Sequence, residues 1–223
     1  HFAVPIFLFF GHSRFSGYVE MRREMHETVD DLTRAIALNT AARLDRLGDR
    51  QKHIRAFETL AGQRVLAGNA TRILLDGPAA FADIFAAIDA AREYVLVQFY
   101  TFRDDALGRE MARHLASRAE AGVRVHVLYD AIGSVGLPGA YIEDLRASGV
   151  NILNFHTERR SRSRFQVNFR NHRKIVVVDG QTGYVGGLNV GDEYMGRAPR
   201  FGYWRDTQLR IDGPEVAELQ FAF

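Results

Sequence analysis

Asn171-His172-Arg173-Lys174-Ile175-Val176-Val177-Val178-Asp179-Gly180, followed after five residues by Gly186-Gly187-Leu188-Asn189, decides how the chain is read. A branched apolar run ends in an Asp-Gly pair and a second apolar run follows. That pattern predicts a strand, a tight turn and a second strand. Side chains alternate along a strand, so His172 and Lys174 are expected on one face. Asn189 is expected to close the second strand, past a glycine pair that lets something bulky approach the backbone. A nucleophile, a cation and an amide donor then converge on a spot suited to an anionic centre such as a phosphoryl group.

Upstream of this stretch, strands and helices alternate. Thr71 to Leu75 reads as a short strand ending at Asp76-Gly77. A helix starting near Pro78 is expected to run to about Arg92 with Phe81, Ile84, Phe85 and Ile88 inward. Tyr94 to Phe102 is a nearly continuous apolar run, expected as a strand covered on both faces. Asp104-Asp105 opens a helix to about Ala121, which Gly122 stops. Val123 to Tyr129 is another strand, Asp130 to Gly139 a loop, Ala140 to Ser148 a helix and Val150 to Phe155 a strand. The order predicts an α/β sandwich with a mixed sheet flanked by helices, over residues 70–223. A ligand is expected at the carboxyl ends of the strands.

The N-terminal part differs. Phe2 to Phe10 is almost entirely apolar and is followed by Arg14, Arg22 and Arg23. A spanning helix needs about 20 such residues, so residues 1–17 are expected to be the end of a membrane-spanning segment with a basic flank. Residues 18–69 read as a helical linker, with one helix over about Tyr18 to Leu47 and another over about Lys52 to Leu66. The chain begins at His1 and ends in an apolar-periodic segment without a cap, so both ends are expected to be internal to a longer protein.

Composition removes several classes. The 223 residues contain no cysteine, which excludes a disulfide framework and thiolate chemistry. The net charge is +2 and the sequence pI about 9.0, a mild bias toward anionic partners and too weak to indicate nucleic acid. Thr157 to Arg170 carries Arg159, Arg160, Arg162, Arg164 and Arg170. It reads either as a solvated loop or as a basic rim for anionic head groups. No set of His, Asp or Glu has metal-ligand spacing, so no metal or other cofactor is expected. His126 and His156 read as packing residues.

His172, Lys174, Asp179, Gly186, Gly187 and Asn189 fit the pattern His-x-Lys-(four residues)-Asp-(six residues)-Gly-Gly-x-Asn. Here the chain resembles the phospholipase D superfamily. The flanks, Phe99-Tyr100-Thr101-Phe102-Arg103-Asp104-Asp105, Val127-Leu128-Tyr129-Asp130, Gly191-Asp192-Glu193-Tyr194 and Gly202-Tyr203-Trp204-Arg205-Asp206-Thr207, resemble bacterial cardiolipin synthases within it. Gln98 and Gln208 depart from the residues usual in that group, an acid and a histidine.

The resemblance implies a phosphatidyltransferase that joins two phosphatidylglycerol molecules into cardiolipin and releases glycerol. His172 is the expected nucleophile, forming a phosphohistidine. Lys174 and Asn189, with Gly187 and Arg170 beside them, are expected to hold the phosphoryl oxygens. Asp206 is the candidate for the carboxylate that orients the histidine. The bland reading of Asp206 is a strand-edge aspartate paired to Arg205 or Arg210. Asp179 completes the signature; a catalytic part is the lesser reading, because an Asp at the head of an Asp-Gly turn serves the turn. Glu193 is a weaker candidate.

Members of the superfamily pair two such signatures, and one is present here. The expected partners are therefore a second catalytic half or a homodimer mate, together with anionic phospholipid and the bacterial inner membrane, and no nucleic acid. The competing readings are a phospholipase D-type hydrolase of lipid or nucleic acid, and a non-catalytic anion-binding domain.

Overall fold

The structure is a computed structural model, and it describes residues 50–61, 65, 67–155 and 171–223. The expected spanning segment, the Tyr18 to Leu47 helix, His156 and the basic stretch with Arg170 lie outside the described residues. The chain divides into two units, residues 1–68 and 69–223. In the first, helix α1 covers Arg50–Ala61.

The second unit is built on one seven-stranded sheet. Its elements are β1 (Ala70–Leu75), α2 (Asp76–Ala90), β2 (Tyr94–Phe99), α3 (Ala106–Glu120), β3 (Arg124–Tyr129), α4 (Gly139–Ala147), β4 (Asn151–Asn154), β5 (Ile175–Val178), β6 (Thr182–Gly186), β7 (Thr207–Asp212) and α5 (Val216–Ala222). A 3-10 turn at Asp192–Met195 lies between β6 and β7. The strand order is β1-β7-β6-β5-β2-β3-β4. β2, β3 and β4 run parallel, joined by helical crossovers, and the pairs from β2 through β5, β6 and β7 to β1 are antiparallel. This is the mixed α/β sheet that the alternation predicts.

Burial follows the apolar pattern. Val95, Val97, Phe99, Val176, Val178 and Tyr184 share one sheet face and pack with Phe81, Ile84, Phe85 and Ile88 of α2 and with Leu107, Met111 and Leu115 of α3. The inner face expected of α2 is the observed one. Ile175, Val177 and Ile211 point to the other face, where Val216 of α5 joins them.

The turn between β5 and β6 has φ of 51° at Asp179 and 63° at Gly180. The N–H of Gln181 donates to the carbonyl of Val178 at 3.0 Å, so Asp179 and Gly180 are the central residues of the turn, and Asp-Gly adopts positive φ at both at low cost. The Asp179 carboxylate also reaches across the sheet. It accepts from the backbone N–H of Arg92 at 2.9 Å, Glu93 at 2.8 Å and Tyr94 at 2.9 Å. The hairpin is thereby tied to the start of β2.

Three of the boundaries that differ from the sequence reading bear on the site. β2 ends at Phe99 rather than Phe102. Beyond it the backbone leaves the ladder, because the N–H of Thr101 goes to Asn189 Oδ1 and that of Phe102 to Ser134 Oγ. β5 begins at Ile175, so His172 and Lys174 precede the strand. There the N–H of Asn171 goes to Asp130 Oδ2 and that of Arg173 to Asn171 Oδ1. β6 ends at Gly186, which places Asn189 in the connection after the strand. Side chains take the backbone donors that a ladder would have used.

Candidate active site

The carboxyl ends of β2, β3 and β6 and the amino ends of β5 and β7 lie along one margin of the sheet. The signature residues gather there. His172 is exposed, Lys174 half-buried and Asn189 buried. The imidazole of His172 stacks on the ring of Tyr100, with centroids 3.9 Å apart and planes 17° from parallel. Among the described residues the imidazole nitrogens make no hydrogen bond. The ammonium of Lys174 donates to the carbonyl oxygen of His172 at 2.6 Å and sits 5.6 Å from the centre of the Tyr100 ring. His172, Tyr100 and Lys174 thus form one contact group.

Burial pushes the Lys174 ammonium below the usual lysine range, and the negative charge of Asp206 opposes that shift. Asp206 is therefore within electrostatic reach of the lysine. Its carboxylate accepts from Trp204 Nε1 at 3.2 Å and from the N–H of Thr207 at 2.7 Å. It makes no side-chain pair with Arg205 or Arg210. Arg205 pairs with Asp76, and Arg210 with Asp83 and Asp212. The strand-edge ion pair entertained for Asp206 is absent among the described residues. The backbone around it is held by the first residue of α2: Asp76 donates its N–H to Asp206 O at 2.9 Å, and its carboxylate accepts from the N–H of Asp206 at 3.1 Å.

Gly187 has a reason in this geometry. A Cβ built there would stand 2.7 Å from Asp206 Oδ2 and closer still to Oδ1. The absent side chain makes room for the carboxylate, so the bulky group approaching the glycine pair is a side chain of the chain itself. Asn189 is committed at both ends of its amide. Oδ1 accepts from the N–H of Thr101 at 3.1 Å and Nδ2 donates to the Tyr194 hydroxyl at 2.8 Å. The second N–H of Nδ2 has no partner among the described residues.

Other candidates fall elsewhere. Asp179 stands at the far end of the hairpin, on the turn. Its burial raises the carboxyl pKa, and the three backbone donors more than offset this, leaving it below the usual range. Glu193 pairs with Arg103 at 3.2 Å and lies over Gly191. Gln98 and Gln208 are both buried, and neither amide has a hydrogen-bond partner among the described residues. His126 is half-buried, 3.2 Å from Asn151 Nδ2.

Sequence reasoning missed Tyr100, Asp130 and Tyr194 as parts of the site. Asp130 is 1% exposed and accepts from the N–H of Asn171, Ile132 and Gly133, fixing the approach to His172. Each lies in a stretch read for its family likeness. None stands at a fixed spacing from His172, so no local signal singles it out.

Residues 84–218 match the protein family described as "Cardiolipin synthase, PLD-like domain". Over 227 aligned residues the chain is 47% identical to cardiolipin synthase A of Pseudomonas entomophila, covering 100% of this chain and 47% of that protein. Over 221 residues it is 46% identical to cardiolipin synthase A of Pseudomonas aeruginosa, covering 97% and 45%. The chain spans about half the length of the curated relatives it matches. Among solved structures, NucT from Helicobacter pylori superposes with a TM-score of 0.52 at 17% identity, over 70% of this chain and 94% of that one. Nuc from Salmonella typhimurium, described as a phospholipase D family member, gives 0.50 at 19% identity, over 70% and 91%. These two structures are alike in fold.

Proposed function

The chain belongs to the family of cardiolipin synthase, PLD-like domains, and on that footing we propose that it is one catalytic half of a phosphatidyltransferase making cardiolipin from two phosphatidylglycerol molecules. The observation that carries the proposal is the cluster at the sheet margin: an accessible imidazole, His172, stacked on Tyr100, with the Lys174 ammonium on its carbonyl and that ammonium within reach of the Asp206 charge.

In the first step an imidazole nitrogen of His172 attacks the phosphorus of one phosphatidylglycerol. The bond from phosphorus to the glycerol head-group oxygen breaks, and that oxygen leaves as glycerol after taking a proton from an acid. In the second, the head-group hydroxyl of another phosphatidylglycerol attacks the phosphohistidine, gives up its proton to the same group and frees His172. Lys174 and the open N–H of Asn189 stabilise the charge on the non-bridging oxygens. Asp206 keeps the lysine charged and stabilises the cationic histidine intermediate.

The acid that protonates glycerol is assigned to a second histidine from a second signature, carried by a further domain or a second copy. The apolar residues before Gly11 anchor the enzyme in the bacterial inner membrane, and Arg170 with its neighbours receives anionic head groups. Among the described residues no helix is long and apolar enough to cross a membrane, so that anchor is assigned to residues outside them.

The test uses the full-length protein and phosphatidylglycerol vesicles. Cardiolipin and free glycerol are expected in equal amounts, and His172→Ala is expected to abolish both while keeping the fold. Phosphatidic acid as the sole lipid product, with glycerol released beside it, would turn the reading to a hydrolase, and turnover by His172→Ala would remove the cluster from the reaction.

A further inference from the structure

We propose that Tyr100 is a positioning residue for the reaction at His172, its ring fixing the plane of the attacking imidazole. The inference rests on the reading of His172 as the nucleophile.

An exposed histidine held by no hydrogen bond at its ring nitrogens would sample several rotamers, and attack on phosphorus needs one of them. Among the described residues the Tyr100 stack is what restrains this ring: 3.9 Å between centroids and 17° between planes. The same aromatic face meets the Lys174 ammonium at 5.6 Å, a contact that attracts a cation to the ring. One side chain therefore touches both reacting groups of the signature.

Tyr100 is itself built into a rigid seat. The next residue, Thr101, gives its N–H to Asn189 Oδ1, and its carbonyl accepts from the N–H of Val190 at 3.1 Å. Phe102 gives its N–H to Ser134 Oγ at 2.9 Å, and that hydroxyl in turn donates to the carbonyl of Tyr100 at 3.3 Å. Gly133 closes over the residue. A Cβ there would overlap the Tyr100 carbonyl oxygen and stand 2.8 Å from Tyr100 Cδ2. The amide oxygen of Asn189 is spent on this seat rather than on a ligand, so the signature asparagine acts on the nucleophile through Tyr100. Among the described residues the Tyr100 hydroxyl makes no hydrogen bond, which leaves the ring as the working part.

The test compares Tyr100→Leu, Tyr100→Phe and His172→Ala in the full-length protein. Tyr100→Leu is expected to lower kcat about tenfold, the scale of a lost aromatic pair, with KM for phosphatidylglycerol within about twofold. The rate at which phosphohistidine accumulates in a single turnover should fall by the same factor. Tyr100→Phe keeps the ring and is expected to stay within about twofold of the parent. A parent-like kcat in Tyr100→Leu, an equal loss in Tyr100→Phe, or a loss confined to KM overturns the inference while His172→Ala remains inactive. Turnover by His172→Ala overturns it together with the functional reading. If Tyr100→Leu does not fold, Tyr100→Met is judged by the same criteria.

Discussion

Replacing Asp179 by Ala separates two meanings of the signature aspartate. The residue stands on the β5–β6 turn with φ of 51° and accepts three backbone N–H bonds from the start of β2. A hydrogen bond to an ionised group contributes up to about 3 kcal/mol, but Arg92 and Glu93 are exposed. About 1 kcal/mol for each bond is the appropriate scale. Alanine in the left-handed region adds about 1 kcal/mol, since it lacks the local hydrogen bonding that favours Asp there. The sum is about 4 kcal/mol, a large part of the roughly 5–15 kcal/mol that holds a domain folded. For a protein of this size it corresponds to a fall in Tm of about 8–16 °C. The assay pairs thermal denaturation with cardiolipin formation at a temperature where the variant is folded. Expected are the large fall in Tm and a kcat within about threefold of the parent. An unchanged Tm with turnover abolished would refute the reasoning and make Asp179 a catalytic group.

Two further predictions concern the same margin and the same carboxylates. Gly187→Ala drives a Cβ into Asp206, with Oδ2 at 2.7 Å, so the carboxylate that acts on Lys174 must shift. Turnover is expected to fall at least about tenfold with a Tm change smaller than that of Asp179→Ala, measured in the same two assays. Acid titration of stability checks the carboxylates at the turn and at β7's end. Asp179 is held below the usual range by its backbone donors against its own burial, and Asp212 first by its hydrogen bonds to Arg210. A depressed folded pKa means stability that is complete above the unfolded value, about 3.9, and lost as pH falls through the folded one. These two groups should leave Tm flat from pH 7 to about pH 5 and pull it down below about pH 4. In Asp179→Asn that acid limb should be shallower.

Much of the fold was legible because its signals are local. The apolar runs of β2, β3 and β5, the inward face of α2 and the Asp179-Gly180 turn each announce themselves within a few residues. The pairing of β1 with β7 did not, since Ala70–Leu75 and Thr207–Asp212 meet only through the tertiary fold and no local pattern encodes their register. The site was legible in the same uneven way. The spacing of His172, Lys174 and Asn189 stood out, but the expectation that they sit within strands failed. Asp130 and Asn171 capture backbone donors that a longer strand would have paired. Tyr100 was hidden inside an apolar run, where an aromatic residue reads as core. Its contact with His172 exists because β2 stops at Phe99 and the chain turns toward the site.

The spacing of the signature has a structural meaning that its residue types alone do not suggest. The four residues between Lys174 and Asp179 are Ile175–Val178, the whole of β5. The six between Asp179 and Gly186 complete the turn and climb β6. With Ile175 opposite Val185 and Val178 opposite Thr182, Lys174 and Gly186 fall together at the open end of the hairpin. Asp179 fixes the closed end. The pattern is therefore a ruler one strand long, laid from a turn tied to β2 to the margin where Lys174, Gly187 and Asp206 gather. Strand alternation makes that ruler intolerant of slips. With the closed end held, removing Val177 would turn Val176 away from the α2 and α3 core and carry Lys174 to the opposite face. The gaps must be constant for the same reason that the core must be filled, and the hairpin that packs the sheet is also the device that aims its chemistry.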